Sequence, residues 1–262
     1  MYNFASLYSL IKNKKKPMKT LIIIPSRMSA KRLPGKPLLK INGVSIISHV
    51  YKKAVKANIG EVFVATEDQK IVDDVKYNGG QAILTSNHHE TGTDRIYEAL
   101  EKANQKNIDL VMNLQGDEPM IDPADLINLN NQMIKNKSKM GTIASNISET
   151  RIYENKNFVK VTTKETLDNL NFPEAISFSR KLKINTKNSY HHVGIYCYHF
   201  ETLKDFVNFK QSGNELKNKL EQLRALDNNV KINVALTNSP PIGVDTMEDY
   251  VAIKKLMEYK SS

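Results

Sequence analysis

The sequence of 262 residues predicts an α/β fold, an open and mainly parallel sheet carrying a smaller, strand-rich region. Three observations predict it. Between residues 20 and 120, apolar runs of strand length alternate with amphipathic stretches of helical period, the order that a parallel sheet with crossover helices demands. Residues 140–200 break that rhythm with several strand-like runs and few long helices. A hydrophobic content of 40% in a chain of this length is enough for a sizeable core.

The first strand is the run Leu21-Ile-Ile-Ile24, preceded directly by Met18-Lys-Thr and opening into Pro25-Ser-Arg-Met-Ser-Ala-Lys-Arg-Leu-Pro-Gly-Lys-Pro-Leu38. In that loop Gly35, flanked by Pro34 and Pro37, lets the backbone come close to a ligand where a Cβ would intrude, and the prolines limit the conformations that binding must order. Arg27 and Arg32 each offer a planar fork to phosphate oxygens. Lys36 adds a mobile point charge that can follow charge onto a leaving pyrophosphate. The pattern suits a triphosphate, with Pro25, Ser26, Arg27, Arg32, Gly35 and Lys36 as candidate binding residues. It is not a Walker A loop, because Ala30 and Pro37 stand where that motif needs a glycine and a Ser or Thr.

Downstream, residues 45–57 read as a helix, 61–66 as a strand, 68–77 as a helix with an acidic first turn, and 81–84 as a short strand. Thr91 or Thr93 caps a helix to about residue 104. Residues 109–114 form a buried strand that delivers Gln115-Gly-Asp-Glu118 at its carboxyl end, where open α/β sheets bind ligands. Further strands are expected over 140–147, 158–163, 175–178, 192–200 and 231–236, and Thr246 caps a final amphipathic helix to about residue 259. Asp117 and Asp245 each follow a glycine-containing turn after an apolar run, so folding can bring both to one sheet edge. Two hard carboxylates suit Mg²⁺, which keeps several waters and takes phosphate oxygens as well. Taken singly, each is also an ordinary turn or cap aspartate.

Composition excludes more than it identifies. The net charge of +10 includes Lys12, Lys14, Lys15 and Lys16, and several other positive charges belong to the phosphate loop. Without a second basic run, zinc-finger spacing or an RNA-binding aromatic signature, nucleic acid is not an expected partner. The single cysteine, Cys197, excludes an internal disulfide and suits a reducing compartment, so the cytoplasm is the expected location. Between Tyr196 and Tyr198 it reads as an inert packed thiol. No run reaches the roughly 18 apolar residues of a membrane helix, and the apolar stretch of residues 4–11 precedes its lysines rather than following them, unlike a secretory signal. Residues 1–17 read as a basic extension outside the fold, and 18–262 as one domain. The pairs His88-His89 and His191-His192 lack the i, i+4 spacing of a zinc enzyme.

Read together, several motifs resemble those of the cytidylyltransferases that activate 3-deoxy-manno-octulosonate (Kdo), and in that family's order. They are Arg27-x4-Arg32-Leu-Pro-Gly-Lys-Pro-Leu38 with Ile41-Asn-Gly43, Thr91-Gly-Thr-Asp-Arg95, Asn113-Leu-Gln-Gly-Asp-Glu-Pro119, Ser177-Phe-Ser-Arg180, His192-Val-Gly-Ile-Tyr196, Leu220-Glu-Gln-Leu-Arg224 and Gly243-Val-Asp-Thr-x-Glu-Asp249. The resemblance implies a Rossmann-like sheet of the nucleotide-diphospho-sugar transferase type, with a nucleotide part at about 18–120 and a sugar and oligomer part at about 121–245. It implies transfer of CMP from CTP to the anomeric hydroxyl of an ulosonic acid with release of diphosphate, a step towards lipopolysaccharide, by a Mg²⁺-dependent homodimer. Arg27, Lys36, Asp117 and Asp245 would be catalytic, Asp117 and Asp245 holding the metal. Arg95, Gln115, Arg180, His192, Tyr196, Glu221 and Gln222 would serve the sugar, Arg95 near either ligand. The loop is shared with relatives such as CMP-sialic acid synthetases and transferases for an amino analogue of Kdo, while Gln115-Gly-Asp-Glu-Pro119 and His192-Val-Gly-Ile-Tyr196 point to Kdo. Intact Lys36, Asp117 and Asp245 argue against a silent nucleotide sensor.

Overall fold

The computed structural model describes residues 17–29, 32–149, 151–184, 186–237 and 243–259, so all but the last residue of the expected basic extension lies outside it. In chain order the elements are β1 (Thr20–Ser26), β2 (Lys40–Ile41), β3 (Val44–Ser45), α1 (Ile46–Ala57), β4 (Gly60–Thr66), α2 (Gln69–Tyr77), β5 (Ala82–Leu84), α3 (Gly92–Lys102) and β6 (Leu110–Asn113). Then follow α4 (Pro123–Asn136), β7 (Met140–Ser145), α5 (Arg151–Glu154), β8 (Lys160–Thr163), β9 (Ala175–Ser179), β10 (Ser189–His199), α6 (Phe200–Asn208), α7 (Gly213–Asn218), α8 (Leu223–Asp227), β11 (Ile232–Leu236) and α9 (Met247–Tyr259). Among the described residues, nine strands form one sheet ordered β11-β7-β10-β6-β1-β4-β5, with β8 and β9 continuing from β10. No described helix is long and apolar enough to cross a membrane.

The apolar run of β1 shows why the sheet is parallel and covered on both faces. Leu21 and Ile23 pack into one core with Ile96, Ala99 and Leu100 of α3, while Ile22 and Ile24 pack into a second with Ile47, Val50 and Ala54 of α1. Successive side chains of a strand point to opposite faces, so a strand covered on both must be apolar at every position. Each fully buried leucine, isoleucine or valine among them contributes on the order of 1.5–3 kcal/mol.

Helix starts follow their capping residues. Ser45 accepts from the amide of Ser48 at the head of α1, and Thr91 with Asp94 forms a reciprocal capping box at the head of α3. The acidic first turn expected for residues 68–77 is not there. Asp68 lies before the helix, at the cap position, and its carboxylate instead accepts from the Met28 amide at 3.0 Å, tying down the start of the basic loop. The loop closes where the Gly35 amide donates to the Met28 carbonyl at 3.0 Å, with Gly35 in the left-handed region at φ 74°. It then enters a tight hairpin from β2 to β3 through Asn42 and Gly43, both at positive φ, the conformation a two-residue turn of type I′ requires.

One departure from a plain parallel sheet matters for the site. Strand β10 runs antiparallel between β6 and β7, and its register shifts between Val193 and Tyr196. The irregularity turns the carbonyls of Val193, Gly194 and Ile195 towards side chains, and Gln115 and Thr142 donate to them.

Candidate active site

The carboxyl ends of β6 and β1 deliver the chemistry, as the Gln115-Gly-Asp-Glu118 run and the basic loop predict. The ammonium of Lys36 lies 2.5 Å from Asp117 Oδ2 and 3.3 Å from Asp245 Oδ1, and donates to the Val244 carbonyl at 2.9 Å. Arg32 Nη2 pairs with Asp245 Oδ2 at 2.7 Å. The two aspartates, remote in sequence, are zipped together by the Val244 amide, which donates to the Asp117 carbonyl at 2.8 Å. Beneath them Glu118 is buried with Oε2 unpartnered among the described residues. Burial, reinforced by Asp117 and Asp245 and opposed by Lys36, pushes its carboxyl up to about 8.

Two cavities meet at this point. The first, of about 420 Å³, is lined by Pro25, Ser26, Arg27, Arg32, Lys36 and Arg95 among others. The second, of about 740 Å³, is lined by His192, Tyr196, Glu221 and Gln222 with the loop of residues 157–159. Arg32, Gln115, Asp117 and Asp245 line both. Gln115 is aimed by the irregularity in β10, its Nε2 donating to the Gly194 carbonyl at 3.2 Å.

His192 is fixed in one tautomer. The hydroxyl of Thr142 has one hydrogen, which goes to the Ile195 carbonyl at 2.7 Å, so it accepts from His192 Nε2 at 3.0 Å. Nδ1 is then a lone-pair acceptor. Burial, and secondarily His191, holds the imidazole down at about 3, so it is neutral at physiological pH. Tyr196, 5.5 Å from His192 between ring centroids, is kept a phenol because burial and the charges of Tyr198 and Glu221 oppose ionisation.

Not every candidate reaches the position the sequence reading gives it. Gly35 shapes the loop without lining either cavity. Arg95 lines the first cavity alone, its fork held by Glu67 and by Thr85 Oγ1 at 2.7 Å. Arg180 lines neither; its guanidinium donates to the carbonyls of Lys156, Asn218 and Lys219 at 3.0–3.2 Å. It braces Lys219, which lines the second cavity, and Lys156, the chain neighbour of Asn157 in that lining. Beside it lies a residue the sequence reading missed. Lys160 is fully buried and donates to the carbonyls of Asn155, Phe158 and Arg180. Burial and the nearby Arg180 charge lower its pKa. Its cue was a lysine inside the alternating run of residues 158–163. His89 and His191 also line the cavities, one each. Cys197 is buried, its thiol raised by that burial.

The cytidylyltransferase family model matches residues 21–232. A 3-deoxy-manno-octulosonate cytidylyltransferase of Afipia carboxidovorans is 39% identical over 91% of this chain and 96% of its own length, and that of Thermodesulfovibrio yellowstonii is 41% identical over 92% and 98%. Among solved structures, a CMP:2-keto-3-deoxy-manno-octonic acid synthetase complexed with CTP superposes with a TM-score of 0.84 at 36% identity, over 92% of this chain and 99% of that one. With a matching sheet, a matching order of motifs and similarity along nearly its whole length, the chain belongs to the cytidylyltransferase family, among the 3-deoxy-manno-octulosonate cytidylyltransferases.

Proposed function

We propose that the protein transfers CMP from CTP to the anomeric hydroxyl of Kdo, releasing diphosphate. The observation that carries this is the junction. Arg32, Gln115, Asp117 and Asp245 line both cavities, so a nucleotide in the smaller and a sugar acid in the larger meet over the same side chains. Holding the two reactants in attack geometry is itself worth about 7–11 kcal/mol of barrier in favourable cases, and no covalent nucleophile is needed.

Asp117 and Asp245 fit a Mg²⁺ ion. They converge on one point, where the Lys36 ammonium now stands as the neutralising cation. No group of three or more His, Cys, Asp or Glu side chains suited to a metal occurs among the described residues, and two carboxylates completed by phosphates and water suit Mg²⁺. An ion held there by Asp117 and Asp245 would supply Lewis-acid polarisation of the α-phosphate and would lower the pKa of the acceptor hydroxyl. Arg27, Arg32 and Lys36 bind the triphosphate and neutralise charge developing on the leaving diphosphate. Gln115 orients the sugar at the junction, and the Nδ1 lone pair of His192 accepts from a sugar hydroxyl. Tyr196, Glu221 and Gln222 hold the hydroxyl-rich tail, and Lys160 and Arg180 keep the wall of the second cavity in place.

Action as a homodimer in the cytoplasm belongs to the same proposal. The lone buried Cys197 supports the compartment, and half-exposed Ile176 on β9, which pairs with β8 alone among the described strands, supports a self-association face. Diphosphate release from CTP with Kdo, with N-acetylneuraminate and with an amino analogue of Kdo tests the reaction. Kdo should give the highest kcat/KM, and release with N-acetylneuraminate alone would replace this reading with that of a CMP-sialic acid synthetase.

A further inference from the structure

The strand order places the ligand-binding parts in a row along one sheet edge. Strand β6 ends beside Gln115 and Asp117, its neighbour β1 runs into the basic loop, β4 is followed by Glu67, and β5, at the sheet edge, is followed by Thr85 and the loop into α3. The first cavity crosses this row from Asp117 and Asp245 to His89, Thr91 and Arg95. On the reading above, the α-phosphate stands at the junction and the loop cations hold the rest of the triphosphate. The nucleoside therefore extends away from the sugar cavity, towards the β4 and β5 end.

At that end most polar side chains are already committed. Arg95 is spent on Glu67, on the Thr85 hydroxyl and on the Ser86 carbonyl. Thr91 and Asp94 satisfy each other in the capping box. His89 differs. Its Nε2 contacts Glu98 Oε2, and Glu98 is itself anchored by the Ser86 amide at 2.9 and 3.1 Å and by Lys102 Nζ at 2.6 Å. Burial would raise the Glu98 carboxyl, but hydrogen bonds from Lys102, His89 and Ser86 outweigh it and hold it at about 2. An ionised carboxylate only accepts, so the proton on this side of the ring belongs to Nε2. On the neutral ring Nδ1 is then a lone-pair acceptor with no partner among the described residues, on a side chain that lines the cavity.

We propose that His89, oriented by Glu98, selects cytosine over uracil by accepting a hydrogen bond at Nδ1 from the 4-amino group of the base. Cytosine presents a donor at that position and uracil an acceptor, which would face the lone pair of Nδ1. The proposal rests on the first cavity being the nucleotide site.

Diphosphate release is measured with CTP and with UTP at saturating Kdo for the wild type, His89→Ala, His89→Asn and Glu98→Gln, and both nucleotides are titrated by calorimetry. His89→Ala should reduce the CTP over UTP preference by about tenfold, the scale of one lost hydrogen bond, by weakening CTP while UTP holds or gains and the KM for Kdo stays in place. His89→Asn, which keeps a short-range acceptor, should restore part of the preference, and Glu98→Gln should lower it by less than His89→Ala. Equal losses for both nucleotides, or a binding preference unchanged within twofold in His89→Ala, would overturn the proposal. A wild type that binds CTP but releases no diphosphate would count against the proposed reaction, while the calorimetric ratio would still decide the role of His89.

Discussion

Replacing Gly116 by alanine should slow the enzyme while leaving it folded. A Cβ built there lies 2.9 Å from the Pro25 carbonyl oxygen, 3.1 Å from Ile47 Cδ1 and 3.4 Å from Ile24 Cγ2. The first of these is backbone of a residue that lines the first cavity, and the other two belong to fully buried isoleucines of the second core. Rotating the Ile47 terminus cannot relieve the contact with Pro25, so the turn carrying Gln115 and Asp117 must move by a few tenths of an ångström. Overpacking of this kind costs about 1–3 kcal/mol of stability, a fall in Tm of roughly 2–4 °C per kcal/mol in a protein near this size. A misplacement of about 1 Å costs on the order of 100-fold in rate, so a smaller shift of Asp117 and Gln115 should lower kcat by about 10-fold, or roughly 1.4 kcal/mol of barrier. Gly194→Ala is the contrast, because its Cβ would meet Gln115 Cγ at an ordinary 3.7 Å. Diphosphate release at saturating substrates and a thermal melt decide the matter together. Wild-type kcat in Gly116→Ala, or an equal loss of Tm in Gly194→Ala, would refute the reasoning.

Asp117→Asn and Asp245→Asn keep shape but remove charge, so each should lower kcat by about 10²- to 10³-fold and weaken Mn²⁺ binding, read by electron paramagnetic resonance with CTP present; normal turnover at limiting Mg²⁺ would remove the assignment. Arg180→Ala strips the partner from the carbonyls of Lys156, Asn218 and Lys219. It should raise the KM for Kdo by about tenfold, near the low end for lost charged hydrogen bonds, and Arg180→Lys should do so by less. Separate titrations check this, and equal damage to CTP would show that Arg180 has no special link to the second cavity. His192 gives an acid-labile fold: it is neutral in both states above its ordinary 6.5, but as pH falls towards about 3 the unfolded chain takes up a proton that the folded one refuses. Stability from this group is therefore present above pH 6.5 and lost below it, by up to about 1.4 kcal/mol per pH unit. Urea melts at pH 7.5 and 5 should show a steeper loss for wild type than for His192→Gln, and parallel losses would deny the depressed pKa.

What was legible in the sequence was whatever is local. The phosphate loop could be read because Arg27, Arg32, Gly35 and Lys36 lie within ten positions behind an apolar strand, and the turn at Asn42-Gly43 needs no distant partner. The helix of residues 123–136 carried a readable signal that went unused, with Asp122 as cap, Pro123 in the first turn, and Leu126, Leu129 and Met133 on one buried face. The direction of β10 was not legible, because side-chain alternation has the same period in parallel and antiparallel strands. Yet that direction and the irregularity after Val193 are what aim Gln115 and seat His192 on Thr142.

Side-chain destinations at strand ends were the least legible of all. Arg95 and Arg180 read alike from the sequence, each a single arginine closing a motif, and the resemblance assigned both to the sugar. The fold separates them by what each can reach. Arg95, on α3, meets Glu67 and Thr85 behind the ends of β4 and β5 and so lines the first cavity. Arg180, beyond the end of β9, meets carbonyls of the loop before β8 and of the α7 end instead. Free carbonyls there satisfy the guanidinium, and Lys160 is likewise buried on three carbonyls, neither cation having an acid partner among the described residues. The bracing takes Arg180 out of direct contact with the second cavity, so its influence there runs through the backbone of Lys156 and Lys219 rather than through its charge.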